Sequence, residues 1–403
     1  MTRVLTSTGV AAFLVLVAAV PAQAQPIPPE GPAINPSIYQ VTAGAKTITV
    51  DCDARQTLAA ALADRSGADL NVVFSGTCKE YIYLQRDGVA IRGKDSTATI
   101  LGGLEITAAR RVLLENFTCR DNTQLEYCIG ALYGASVTLH NIKVLNSSVR
   151  GVLIYNAVAL IDGLTVDKTI STSILIRGSA VRLEGELTFG HTVEGCLVID
   201  SVASVFSKSG VFTARDCAAG VLLQGNSNFH APFATFTLNH NSFAGLMLLT
   251  QGTFSYGGII VARNNTQAGI FVDDGSSFSP FTNIVGSSAL TLENNGRAGV
   301  FVRASYAELA NVSANSGSTY GVFVEDGRLK ISRSTIAENS KADVRLEFGA
   351  HAAFFDGTNV GTVSCDGTQL LRGAAKPCIM DANPTTTPKP TATPRGAGQP
   401  PKP

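Results

Sequence analysis

Three triplets in the C-terminal half carry side chains suited to sugar chemistry: Phe271-Val272-Asp273, Phe301-Val302-Arg303 and Phe323-Val324-Glu325. Aromatic rings stack on the apolar faces of sugars, and carboxylates accept hydroxyl hydrogen bonds or serve as acid and base. On this reading Asp273, Arg303 and Glu325 are the candidate catalytic residues, and Phe271, Phe301 and Phe323 are the candidate substrate platform. The same charges also read as an acid, base, acid series that stabilises stacked strands and does no chemistry. Asp273, Asp274 and Glu325 could hold calcium, but Arg303 falls between them and opposes a cation there. The five histidines, His140, His191, His230, His240 and His351, lack metal-ligand spacing, and no metal site is assigned. Neither a Gly-x-Ser-x-Gly elbow nor a phosphate-cradling Gly loop occurs.

Chemistry at these triplets requires that they lie side by side, and a repeat provides for this. A small or turn residue followed by an apolar run recurs at Gly151-Val152, Ser173-Ile174, Gly195-Cys196, Gly220-Val221, Gly245-Leu246, Gly269-Ile270, Gly299-Val300, Gly321-Val322 and Asp343-Val344, with spacings of 22, 22, 25, 25, 24, 30, 22 and 22 residues. A period of this size repeated so often means a solenoid. Each repeat holds three short apolar runs, such as Val152 to Ile154, Val158 to Ile161 and Leu164 to Val166. They are too short for helices and are bounded by Gly, Asn, Asp and Ser, so they are strands. Three strands per turn predict an all-β fold, a right-handed parallel β-helix over residues 47–381. The long repeat carries an insertion around Ser279 to Ser288 that could wall one side of the triplets.

Within such a coil, Val152 and Ile154 point inward and Leu153 outward. The equivalent outward positions are Leu175, Leu197, Leu222, Met247, Phe271, Phe301, Phe323 and Arg345. They predict an apolar outward stripe, available to a glycan or to a second subunit. Asn or Asp recurs before the repeat starts, at Asn146, Asp216, Asn239, Asn264, Asn294, Asn315 and Asn339, and predicts a polar ladder inside one bend. A short helix over Leu58 to Ala63, beginning near Asp53, is placed to cap the open first coil.

The ends differ from the repeat. Arg3, the apolar run Val10 to Val20 and the small-x-small site Ala22-Gln23-Ala24 read as a signal peptide over residues 1–24, followed by a linker over 25–46. The run is shorter than the roughly 20 apolar residues that span a bilayer, and no later segment is apolar enough, so no membrane span is expected. The chain should be secreted or periplasmic. Residues 382–403 form a Pro/Thr-rich tail with nothing to bury. Lys+Arg and Asp+Glu both number 31, which gives no electrostatic reason to expect nucleic acid. All eight cysteines follow the cleavage site, and an even count in an oxidising compartment suggests disulfides. Nearness in sequence pairs Cys52 with Cys78, Cys119 with Cys128, Cys196 with Cys217 and Cys365 with Cys378. Cys196 and Cys217 also read as buried free thiols.

The segment Phe74 to Gly103 is similar to the first coils of bacterial proteins of the pectate-lyase-like superfamily, and Val363 to Gly373 resembles a last coil of secreted members. The resemblance covers nearly the whole mature domain and implies the fold, which hosts lyases, hydrolases, epimerases and adhesins. Polygalacturonase-like hydrolases of this kind carry Asn-Thr-Asp, Asp-Asp, Gly-His-Gly and Arg-Ile-Lys. Here Asp273-Asp274 matches the second and Arg328-Leu329-Lys330 loosely matches the fourth. Gly190-His191 is followed by Thr192, and no Asn-Thr-Asp exists. Asp274 and Asp326 precede Gly275 and Gly327 and read as turn residues. With the motif set incomplete, the expected function is a non-catalytic polysaccharide-binding or structural envelope module. The alternative is a glycoside hydrolase or polysaccharide lyase acting on an extracellular glycan.

Overall fold

The computed structural model describes residues 44–64, 66–122, 125–281, 288–315, 317–373 and 377–380. The signal-peptide reading and the Pro/Thr-rich tail lie outside the described residues, as do all but residues 44–46 of the linker and most of the expected insertion. The described chain is a parallel β-solenoid of about 14 turns, a right-handed β-helix as the repeat predicts. One face is a 14-stranded sheet running from Ile82–Leu84 to Ile379–Met380. The other faces merge into a single sheet, because strands Ser136–Leu145, Val158–Asp167 and Ala180–Gly190 run through the bend between them. Between strands the pairing is parallel, as in Val152 with Ile174, Ile174 with Leu197, and Val300 with Val322.

Inward apolar residues stack coil on coil into a continuous core. Val152, Ile174, Leu197, Val221, Leu246, Ile270, Val300, Val322 and Val344 form one such column, all fully buried. Leu197 was expected in the outward stripe, and its place there belongs to Val198, which pairs with Leu175 and Leu222. The strand is shifted by one residue because Gly195 pairs with Ala219, so Cys196 takes the glycine's place in the repeat. One residue of slip exchanges the two faces of a strand. The repeat glycines have a steric cause. A Cβ at Gly245 would sit 2.8 Å from the Gly269 carbonyl oxygen, and one at Gly269 would sit 2.8 Å from that of Gly299.

The polar ladder exists, with a corrected membership. Asn146, Asp216, Asn264 and Asn294 take left-handed backbone, as expected of turn residues. The inward amides are the fully buried Asn241, Asn265 and Asn295, each directly after a left-handed residue (His240, Asn264 and Asn294), and the half-buried Asn339, which was expected and whose amide donates to the Ala314 carbonyl at 3.0 Å. The left-handed residue turns the chain, and its successor then points into the bend. The capping helix is Leu58–Leu62, with Thr57 and not Asp53 as its N-cap. Glu80 completes that cap: its carboxylate accepts from the backbone N–H groups of Leu58 at 2.7 Å and Ala59 at 2.9 Å. All eight cysteines are paired as nearness in sequence suggested, including Cys196 with Cys217.

Candidate functional site

The three triplets fall in register on the 14-stranded face. Phe271 pairs with Phe301, and Phe301 with Phe323. Val272 pairs with Val302, which sets Asp273 level with Arg303, and Arg303 pairs with Glu325. The period-2 alternation of each strand therefore gathers three rings in one outward column and three charges in the next.

The rings point out of the coil but are covered. Phe271 is 5%, Phe301 3% and Phe323 3% exposed. They form a satellite cluster with Ala244, Ala268 and Ala298, and Phe243, Met247, Leu249 and Tyr320 pack against it. Phe301 and Phe323 stack at 4.9 Å between centroids with a 7° interplanar angle, and Phe271 meets Phe301 edge-on at 5.1 Å. The Arg297 guanidinium lies 4.3 Å from the Phe301 ring centre and 4.7 Å from that of Phe323, a cation–π arrangement. Small side chains in the Ala244–Ala268–Ala298 column leave the room that Phe243 and the other rings fill.

Two of the three charges are committed to each other. Arg303 Nε donates to Asp273 Oδ1 at 2.9 Å, and Arg303 Nη2 donates to Asp273 Oδ2. Asp273 Oδ1 also accepts from the Asp274 backbone N–H at 2.8 Å. The hydrogen bond to Asp273 holds the Arg303 guanidinium even more firmly protonated. Further along the face, Arg177 Nε and Nη2 donate to Asp200 Oδ2 at 3.0 and 2.6 Å, and Arg345 Nε donates to Glu347 at 2.8 Å. Glu325 differs. Among the described residues it has no side-chain hydrogen bond or ion pair, and it is half-buried between Arg303 and Glu347. Burial pushes its carboxyl above the ordinary carboxylate value, against the pull of Arg303 and Arg297.

The remaining motif residues are not gathered here. Asp274 and Asp326 sit in left-handed turns, as read from the glycines that follow them. Arg328-Leu329-Lys330 lies in strand Arg328–Ser332 of the other sheet, where Lys330 Nζ is 3.9 Å from Glu308. His191 stands at a bend, with Nδ1 2.6 Å from Asp167 and Nε2 3.6 Å from Asp216. Among the described residues, one group of His, Cys, Asp or Glu side chains is close enough to share an ion: Cys52, Cys78 and Glu80. Its two sulfurs are bonded to each other and its carboxylate caps the first helix. Sequence reasoning missed a polar cluster at the N-terminal end of the same face, formed by Tyr81, Glu105 and Tyr127. Its signal was Gly130, whose missing side chain lets the Tyr127 ring lie across the strand.

No protein-family model matches the chain, and no curated protein matches it. Among solved structures, a periplasmic alginate epimerase is 13% identical with a TM-score of 0.50, over 81% of this chain and 84% of its own. The catalytic domain of an α-1,3-glucanase in complex with nigerose is 12% identical with a TM-score of 0.43, over 86% of this chain and 67% of its own. At such identity the likeness to the epimerase shows the shared fold alone. No helix among the described residues is long and apolar enough to cross a membrane.

Proposed function

We propose that the protein is an exported, non-catalytic β-helix module that binds an extracellular polysaccharide along the outward face of its 14-stranded sheet. The observation that carries the non-catalytic part is the Asp273–Arg303 pair. A base or nucleophile must offer an accessible lone pair to substrate, and Asp273 is 7% exposed with its oxygens already accepting two hydrogen bonds from Arg303 and one from the Asp274 N–H. That pairing also makes Asp273, Asp274 and Glu325 a poor calcium site, since Arg303 holds the oxygens a metal would need. The binding part is supported by the dimensions of the face: 14 parallel strands at about 4.8 Å extend over ~60 Å, a surface suited to an extended polymer. The alginate epimerase with the same fold is, by its name, a polysaccharide enzyme. Four disulfides support export.

Glu325 favours one second reading. An unpaired carboxyl raised by burial is suited to general acid work, and a hydrolase or lyase would use it. The deciding experiment is a panel of neutral and uronate glycans, with affinity and product formation read separately on wild type, Asp273→Asn and Glu325→Gln. Binding without product in all three supports the module. Product formation by wild type that Glu325→Gln abolishes establishes the enzyme instead.

A further inference from the structure

We propose that Tyr81, Tyr83, Glu105 and Tyr127 form a saccharide subsite at the N-terminal end of the same face, one that takes a neutral, hydroxyl-rich sugar and rejects uronates. The proposal rests on the polysaccharide-binding reading and names a place and a ligand class that the reading leaves open. From Tyr83 to Phe271 the face climbs through eight strand pairings, or ~38 Å at the spacing of paired strands. The two clusters therefore do not share a sugar.

The cluster is built around one carboxylate. Glu105 lies in the outward column, between Tyr83 on the preceding coil and Gly130 on the next. Tyr81 Oη donates to Glu105 Oε2 at 2.9 Å, and Tyr127 Oη donates to the same oxygen at 2.7 Å. Thr107 Oγ1 donates to Oε1 at 3.0 Å. Three hydroxyls thus hold Glu105, where Asp200, Asp273 and Glu347 on the same face are held by arginines. Gly130 is required for this: a Cβ there would fall 2.3 Å from a Tyr127 ring carbon. Burial and the neighbouring Glu105 push the Tyr81 phenol up to about 12 and the Tyr127 phenol upward as well. Both phenols therefore remain protonated donors throughout the ordinary pH range. Each donates its single proton to Glu105, and the exposed Tyr81 keeps lone pairs to accept from a ligand hydroxyl, while the buried Tyr127 positions the carboxylate.

The other half of a sugar site is an exposed ring, and here Tyr83 supplies it. Its side chain is 50% exposed, and Gln85 Nε2 donates to its hydroxyl. Tyr83 stands between two features: on one side a cleft of about 470 Å³ between the capping helix and strand Ile82–Leu84, with Ala59, Leu62, Gln85 and Arg86 on its walls, and on the other the Glu105 cluster, which does not line that cleft. Arg86 spends its guanidinium on the backbone carbonyls of Asp64 and Ala68. The sugar-facing chemistry is then the Tyr83 ring face, the phenol oxygen of the exposed Tyr81 and a carboxylate that no cation neutralises within 4 Å among the described residues, with the buried Tyr127 holding that carboxylate in place. A sugar hydroxyl satisfies those acceptors, whereas a uronate carboxylate would face Glu105 charge to charge.

The test is calorimetry on the full mature chain with two sets of probes: cello-, xylo- and manno-oligosaccharides, and oligogalacturonate with oligomannuronate. At least one neutral probe should bind. Tyr83→Ala should weaken it tenfold or more, and Glu105→Gln and Tyr127→Phe about three- to tenfold. Uronates should not bind at this end. Because the chain has no Trp and nine Tyr, tyrosine emission should change on titration with the neutral probe, and less in Tyr83→Ala. Tyr83 is exposed, so its alanine variant should keep the melting temperature of wild type, and any loss of affinity then reports the site. Neutral binding untouched by all three variants overturns the subsite and leaves the polysaccharide reading standing. Uronate binding that Tyr83→Ala weakens overturns the ligand class. No binding by either set overturns both proposals.

Discussion

Asn241 donates from its side-chain amide to the Asn265 side-chain oxygen at 2.9 Å, inside the coil and shielded from water. Asn265 repeats the contact to Asn295, also at 2.9 Å, and reaches back to the Leu238 carbonyl at 3.0 Å. The Asn241 backbone N–H also donates to Asn265 Oδ1, at 3.0 Å. Each amide thus satisfies the bend of its own coil and that of its neighbour, so removing one leaves partners in two coils without water to replace it.

Asn265→Ala should therefore destabilise the protein by about 2–4 kcal/mol, since it orphans several buried polar atoms at once. Asn264→Ala, one residue earlier and exposed, loses mainly the left-handed preference of Asn and should cost about 1 kcal/mol. Urea titration followed by circular dichroism checks the contrast. Equal losses at the two positions would mean that the ladder carries no special share of stability.

Phe301→Ala tests the covered cluster. An exposed ring could be removed at little cost, but this one is 3% exposed and lies between Phe271, Phe323 and Arg297. Its removal should cost about 3 kcal/mol, the scale of a buried aromatic truncation. A melting temperature unchanged from wild type would show that the ring packs too loosely to matter.

That contrast marks what the sequence made legible. The inward column from Val152 to Val344 followed from alternation, because the period of a strand fixes which residues share a face. The same alternation placed Phe301 outward, and this was right as to direction. It could not show that Arg297, four residues earlier in the chain, folds back over the ring, since exposure depends on neighbours across coils. Leu197 was misplaced for a related reason: Cys196, and not Gly195, is level with Gly220 of the next coil, and spacing alone could not reveal the slip. The Asp273–Arg303 pairing was legible as an alternating series, because residues level on adjacent coils must meet. The Glu105 cluster was not, because the residues level with Glu105 are Tyr83 and Gly130, whereas Tyr81 and Tyr127 sit two and three positions earlier on those coils and reach the carboxylate diagonally.

The Cys365–Cys378 disulfide closes the last coil, where Ile379–Met380 pairs with Ser364 and Cys365. Cys378→Ser should cost about 3 kcal/mol in the chain-entropy model, and the loss should concentrate at this end, where Ile379–Met380 is the outermost strand of its sheet among the described residues. Hydrogen exchange is expected to quicken over 363–380 while the coils around Val152 keep their protection. Peptide mapping without reductant should find no free thiol in the wild type; a free thiol at any of the eight positions would also weaken the case for export.

Glu325 gives the pH dependence its sign. Burial raises its carboxyl in the folded state above the unfolded value, so the folded protein holds the proton to higher pH than the unfolded chain does. Between those two values the native state binds more protons, and stability falls as pH rises through the window. Below the unfolded carboxylate pKa, near 4.3 by the reference value for Glu, both states are neutral and the penalty is absent. Glu325→Gln removes the group that must ionise. The variant should match wild type at acid pH and melt higher than wild type at pH 7 to 8, with the gap opening through the window. Thermal melts of both proteins from pH 3.5 to 8 check this. A variant that melts lower than wild type at neutral pH would mean that the ionised Glu325 gains more from Arg303 and Arg297 than burial costs it.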